Sequence, residues 1–244
     1  MTVSLQAGVT WAVAGLATSG VILRPWKVPE AVWAVAGAVA LVAFGLLPAS
    51  DGLKAIAKGT DVYLFLTGMM LLSEVARGEA LFDFLASLAV GLARGFASRL
   101  FLLVYALGTV VTIFMSNDAT AVVLTPAVYA VSKKAGAKPL PYLFACALIA
   151  NAASFVLPIS NPANLVVFGS HPPPLVEWLR QFTLASVVSI AATFAVLRFV
   201  FRRPLSGKVE TGRMPAAISR TGKMAAWGIG GVAVVLLIAS SLDI

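Results

Sequence analysis

SNDAT at 116–120 and SNPAN at 160–164 each sit inside a run of apolar residues of the kind that crosses a membrane. Ser, Asn and Asp cap helix N-termini, because their side-chain oxygens accept the free N–H groups of a first helical turn. Each unsatisfied backbone group in hydrocarbon costs several kcal/mol, so a helix breaks at that depth only where the break is buried in protein or lines a wet cavity. The two stretches therefore predict two interrupted helices whose electropositive N-terminal ends face the interior of a bundle. Pro162 stands where a first helical residue would, and Pro158 lies in the same segment.

Composition places the chain in a bilayer. Of 244 residues, 60% are hydrophobic and 11% are charged, against roughly half and a quarter in soluble domains. Apolar segments are predicted at 7–23, 30–47, 61–76, 141–169 and 175–201, with another starting near 224. Residues 1–23 lack a basic start and a small-residue cleavage site, and read as a retained first span rather than a signal peptide.

Between 99 and 131, the arms RLFLLVYALGTVVTIFM and ATAVVLTPAVYAV meet at SND. Pro126 interrupts the second arm, which is barely long enough to cross, so a re-entrant helical hairpin over 99–132 fits better than two spans. The stretch 79–95 spaces Glu79, Asp83, Ser87 and Gly91 four apart and predicts an amphipathic helix along the cytoplasmic surface. Residues 202–223 are basic, carry Pro and Gly, and read as a cytoplasmic linker.

The fold class expected is an all-α membrane protein: a polytopic helical bundle with a cytoplasmic-side re-entrant hairpin and a broken transmembrane helix. Five complete spans precede the linker, and an odd number turns a second copy of the unit upside down, as in many inverted-repeat transporters. Residues 1–201 are thus expected to form a first repeat, and 224–244 the first span of a second repeat otherwise missing.

The net charge of +8 comes from short connectors, where the positive-inside bias puts it, rather than from a nucleic-acid face. With the hairpin entered from inside, Lys54 and Lys58 alone fall outside, which predicts a multi-pass protein of a prokaryotic inner membrane with its central loop cytoplasmic. Trp11, Trp26, Trp33, Trp178 and Trp227 lie mostly near span ends and suggest an interfacial belt. Cys146 is the single cysteine and reads as a small core residue.

The candidate site residues are Ser116, Asn117, Asp118 and Thr120 from the hairpin, and Asn151, Ser154, Ser160, Asn161 and Asn164 from the other break. This hydroxyl, amide and carboxylate set suits a polyhydroxy solute, an oxyanion or a hard cation such as Na⁺, and would not hold a soft metal by thiolate. Singly, such residues often only join helices. Asp118 is the proton-coupling candidate, since an intramembrane acid is expensive and by default functional; its alternative is a helix cap. Glu74 reads as a structural partner of Arg77 or Arg94, Arg180 as snorkelling to the outer surface, and His171 as an exposed loop residue.

FMSNDATAVVLTPAVYAV, followed by PYLFACALIANAASFVLPISNPANLVVF, resembles the arsenical pump membrane proteins. These are ArsB-type permeases of an ion transporter superfamily that also holds sodium-coupled dicarboxylate carriers and NhaD-type antiporters. DVYLFLTGMMLLSEVARGEALFDFLA is similar to the span and surface helix preceding their hairpin, and the likeness covers the first half of a typical member. The resemblance implies efflux of arsenite and antimonite in exchange for protons, with a cytoplasmic ATPase subunit as a possible partner. In sodium-coupled relatives a Ser-Asn-Thr motif touches ion and substrate; Ser116 and Asn117 match its first two positions, and Asp118 stands where threonine would. Ser160 to Asn164 matches their second ion-binding loop. Asn151 departs from the aspartate expected of some arsenite permeases.

No cofactor is expected beyond a proton gradient, with Na⁺ an alternative. The expected partners are the lipid bilayer, a small inorganic solute, and a second transporter half or a second copy of the chain. Competing readings are a Na⁺-coupled anion transporter, a Na⁺/H⁺ antiporter, or an inactive half-length product. An intramembrane enzyme would need a nucleophile beside a histidine, or a metal site, within the bilayer, and the chain has one histidine, placed in a loop.

Overall fold

A computed structural model describes residues 3–168, 173–210 and 218–242, and no strand occurs among them. His171 and residues 211–217 of the linker lie outside the described residues. The chain divides into two compact units at Asp61/Val62.

The first unit holds α1 (Val3–Leu23), α2 (Glu30–Ala43) and α3 (Ala49–Lys58). Apolar helices gain little from hydrophobic burial in lipid, so close backbone approach at small residues supplies the packing. Gly20 accordingly receives the ring of Trp33, and Gly37 receives Ala17. The expected span 30–47 is corrected here. α2 has 14 residues, about 21 Å at 1.5 Å per residue against a hydrocarbon core of about 30 Å. Gly45 turns left-handed at φ +67, the amides of Leu46 and Leu47 both donate to Leu41 O, and Pro48 cannot continue the helix. Where the sequence suggests only a connector, α3 forms and pairs Lys54 with Asp51 at 3.2 Å.

The second unit is built from α4 (Thr60–Gly78, in this unit from Val62), α5 (Leu81–Ala93), α6 (Ala97–Met115), α7 (Thr125–Lys134), α8 (Leu140–Ala152), α9 (Pro162–Phe168), α10 (Leu175–Val200), α11 (Arg202–Leu205) and α12 (Arg220–Leu242). Four helices among the described residues are long and apolar enough to cross a bilayer: Leu5–Leu23, Ala97–Met115, Leu175–Val200 and Arg220–Ala239. Counting α3 and α4 as one broken span adds a fifth. The protein is an all-α polytopic membrane protein.

Its core is α6, packed between α5 and α8. Leu100, Phe101, Val104, Tyr105, Gly108, Val111, Thr112 and Met115 recur at helical spacing and are buried. Phe101, Tyr105, Tyr142 and Phe194 form an aromatic cluster with ring centroids 5.1 to 6.4 Å apart. Its hydroxyls are satisfied: Tyr105 donates to Ile190 O at 2.7 Å and Tyr142 to Ala97 O at 3.2 Å. Cys146 is fully buried in α8, as a small core residue should be.

Four expectations change in this unit. α5 buries Leu81, Phe82, Ala86, Ala89, Val90 and Ala93 against α6 and α7, leaving Asp83 exposed. Its apolar stripe thus covers the hairpin. The start of the basic linker is docked rather than free: Ala97 N–H donates to Gly207 O, Val209 N–H to Gly95 O and Glu210 N–H to Ala135 O, with Leu205 and Val209 buried. A helix resumes at Arg220, before the expected 224. Trp178 departs from the interfacial belt. It is fully buried, its indole N–H donates to Phe155 O at 3.0 Å, and its ring packs on Phe168 and Phe182.

Candidate functional site

Both polar stretches break helices. α6 ends at Met115, and Ser116 adopts φ 97, ψ 160, a conformation that glycine tolerates and side chains strain. The chain then reverses. Thr120 Oγ1 lies 2.8 Å from Thr112 Oγ1 and 3.5 Å from Gly108 O, whereas twelve residues of continuous helix would separate positions 108 and 120 by about 18 Å. Gly108 permits this approach: a Cβ there would meet Ile149 at 2.8 Å, with Leu124 and Thr120 close behind.

The returning arm differs from the capped helix that SNDAT predicts. Asn117 is already helical, and Asp118, at φ −66 and ψ −39, makes no side-chain cap. Residues Ala119–Leu124 form a π-turn, with Thr125 N–H donating to Thr120 O and Thr125 Oγ1 donating to the same oxygen at 2.9 Å. Pro126 explains the widening: it has no N–H to offer and its ring crowds the carbonyl four residues earlier, so the preceding turn opens instead of breaking.

The second break runs from Ala153 to Asn161 between α8 and α9. Asn161 is the helix cap that SNPAN predicts: its Oδ1 accepts the Ala163 N–H at 2.9 Å, with Pro162 as first helical residue. Ser160 Oγ accepts the Leu157 N–H at 3.1 Å and donates to Ile113 O at 3.0 Å, a carbonyl left free by the end of α6. That hydroxyl ties the two breaks together. Asn164 donates to Ser154 O and Pro158 O, each at 3.1 Å, and Ser154 Oγ donates to Ala150 O at 2.6 Å. These buried groups hold the loop from within.

Among the candidate residues, Ser116 and Asp118 open on a cavity of about 280 Å³ beside α4, with Leu66, Met69, Met70, Ser73, Glu74, Ala119, Val122 and Val123. Asn117 Oδ1 is a buried acceptor without a partner among the described residues. Thr120, Ser154, Ser160 and Asn164 are engaged in the fold, and Asn151 is exposed, donating to Ala147 O at 3.3 Å. The α4 face was not among the expected site residues. Its signal is Leu66, Met69, Met70 and Ser73 at i, i+3, i+4 and i+7, one stripe of a helix. Glu74 forms the expected pair with Arg77, Nε to Oε2 at 2.8 Å, while also lining the cavity. The lining thus carries two carboxylates and two hydroxyls on an apolar wall, with no cation among the lining residues.

A family model described as CitMHS, citrate transporter, matches residues 13–243. The chain belongs to that family. The chain is also similar to proteins named as transporters: an uncharacterized transporter of Synechocystis is 24% identical over 72% of the chain. A putative arsenical pump membrane protein of Bacillus subtilis is 29% identical over 59%, and the arsenical pump membrane protein of Yersinia enterocolitica 28% identical over 57%. The chain spans 39% of the first relative's length and 33% of each of the other two. No solved structure matches it significantly. In this CitMHS-family chain the two polar stretches mark departures from regular helix.

Strain at Ser116 yields a prediction for this site. Ser116→Gly relieves about 1–3 kcal/mol of backbone strain and gives back roughly 0.5–1 kcal/mol in unfolded-chain entropy. The variant should unfold at a higher temperature in detergent while losing the hydroxyl at the cavity. A lower unfolding midpoint would show that the Ser116 side chain, not its backbone, governs stability here.

Proposed function

We propose that this CitMHS chain forms one half of a secondary transporter exporting arsenite or antimonite, as neutral hydroxides, in exchange for protons. The observation that carries this reading is the cavity of Asp118, Glu74, Ser116 and Ser73, which lacks a lining cation. Asp118 repels a polycarboxylate, Glu74 being already paired with Arg77, whereas the hydroxyl and carboxylate oxygens can hydrogen-bond a neutral trihydroxide. The similarity to relatives named arsenical pump membrane proteins supports the same solute. Asp118 is the proposed proton carrier, and Asn117 Oδ1 the proposed acceptor of a substrate hydroxyl.

A second reading, Na⁺-coupled transport of a carboxylate anion, is favoured by the name of the family. Under it Asn117 Oδ1, a hard oxygen without a partner among the described residues, would meet the cation.

Flux into inverted vesicles separates the two, measured for arsenite and for citrate, with and without Na⁺, with the chain joined to a second transporter half. Arsenite flux driven by a proton gradient is expected. Asp118→Asn should lower it at least tenfold, the effect of about 1.4 kcal/mol of lost coupling. Citrate flux alone, or equal arsenite flux in Asp118→Asn, would overturn the proposal.

A further inference from the structure

A second cavity, of about 210 Å³, lies where α6 begins and α10 ends, lined by Ser98, Arg198, Arg202, Leu205 and Ser206. We infer that this cavity binds the phosphate of an anionic phospholipid.

Four observations converge on that ligand. Neither Arg198 nor Arg202 joins a salt bridge among the described residues, whose ion pairs are Arg24–Glu30, Lys54–Asp51 and Arg77–Glu74. Two guanidinium groups without carboxylates, at one cavity, call for an anion from outside the chain, and guanidinium matches phosphate oxygens two at a time. The Arg202 guanidinium lies 5.0 Å from the centroid of the Phe199 ring, which orients it without neutralising it.

The backbone adds donors. α6, a helix of 19 residues, starts at Ala97, whose N–H is taken by Gly207 O. The next two N–H groups, of Ser98 and Arg99, have no protein acceptor among the described residues. Helix N-termini of this kind favour anions through free N–H groups and the dipole, and here the Ser98 and Ser206 hydroxyls join them.

Size and surroundings identify the anion's carrier. The cavity is smaller than the roughly 300–1,000 Å³ of sites for drug-sized molecules, which suits one phosphate group rather than a large organic anion. Directly beside the arginines α10 exposes Val196, Phe199 and Val200, each at least 59% accessible, on a helix that is itself a membrane span. A phosphate at Arg198 and Arg202 with acyl chains along those residues satisfies both surfaces, and basic pockets between spans bind anionic headgroups by this logic. Leu205 and Ser206 build one wall, just before the point where Gly207 O takes the Ala97 N–H, so an occupied site would also pin that segment.

Native mass spectrometry of the full chain, released from neutral detergent micelles doped with phosphatidylglycerol or phosphatidylcholine, tests this. The wild type should retain phosphatidylglycerol over phosphatidylcholine. Arg198→Gln/Arg202→Gln should cut the retained fraction about tenfold, as expected for loss of charge-assisted bonds. Arg24→Gln, which alters a pair in the other unit, should not change it. If the double variant cannot be purified, Arg202→Gln, at an exposed position, is scored by the same ratio. Equal retention in the arginine variants, equal retention of both lipids, or displacement of phosphatidylglycerol by excess inorganic phosphate would each overturn the proposal; the last would assign the cavity to a free anion.

Discussion

Replacing Gly108 by leucine is expected to destabilise the second unit by roughly 3 kcal/mol or more, at or beyond the upper end of ordinary overpacking. The reason lies in the position, not in the residue type. Even a single Cβ there would stand 2.8 Å from Ile149 Cγ2, an atom near the backbone of a buried β-branched residue with little room to retreat. The remaining leucine atoms would push against Leu124 and Thr120 and separate the Thr112–Thr120 hydroxyl pair that closes the hairpin. Thermal unfolding of the purified chain in detergent measures the effect. Gly231→Leu in α12, where a Cβ would meet nothing within 4 Å, serves as the control and should not destabilise, gaining up to about 1 kcal/mol from the loss of glycine's unfolded-state freedom. Equal effects of the two substitutions would mean that the arms of the hairpin do not pack as described.

The second large effect falls on Asn164. Leucine has nearly the same shape but no donors, so Asn164→Leu leaves the Ser154 and Pro158 carbonyls buried and unsatisfied. At roughly 1–3 kcal/mol for each stranded group, the cost is about 2–6 kcal/mol. Asn164→Asp should be no milder, because an ionised carboxylate only accepts and would face two carbonyl oxygens. Both variants should lower the unfolding midpoint and expose the Ala153–Asn161 loop to hydrogen exchange before α8. An unchanged midpoint for Asn164→Leu would show that the break is held by other contacts, Ser160 being the obvious one.

Much of this architecture is legible in the residues. Ser, Asn and Pro at 160–162 specify a helix start because their chemistry is local: a short oxygen-bearing side chain next to a ring that lacks an N–H. Asn161 does cap α9. Polar SND between two apolar arms likewise requires a break, and the chain reverses there. Other local features shape the helices as well. Gly45 with Pro48 ends α2 ahead of the expected boundary, and Pro126 produces a π-turn where a plain interruption was expected.

The candidate site was harder to read. Nothing at position 160 signals that Ser160 reaches Ile113, forty-seven residues away, and a hydroxyl serving a fold looks in sequence like one serving a ligand. Glu74 reads as half of an ion pair and is one; its place on the cavity wall depends on which face of α4 meets the hairpin tip. Trp178 had the position of an interfacial residue, and only the aromatic ring cluster around it shows that it is buried.

By itself the sequence determined that this chain lives in a bilayer as helices, and that two of those helices are interrupted, because apolar length and capping chemistry act within a few residues of one another. Tertiary structure alone decided which polar groups remain available, since a donor or acceptor is free only when no distant carbonyl, hydroxyl or amide has been folded against it. Ser116 and Asp118 face a cavity and Asn117 keeps an oxygen unpaired among the described residues, while Thr120, Ser160 and Asn164 are bound into the frame.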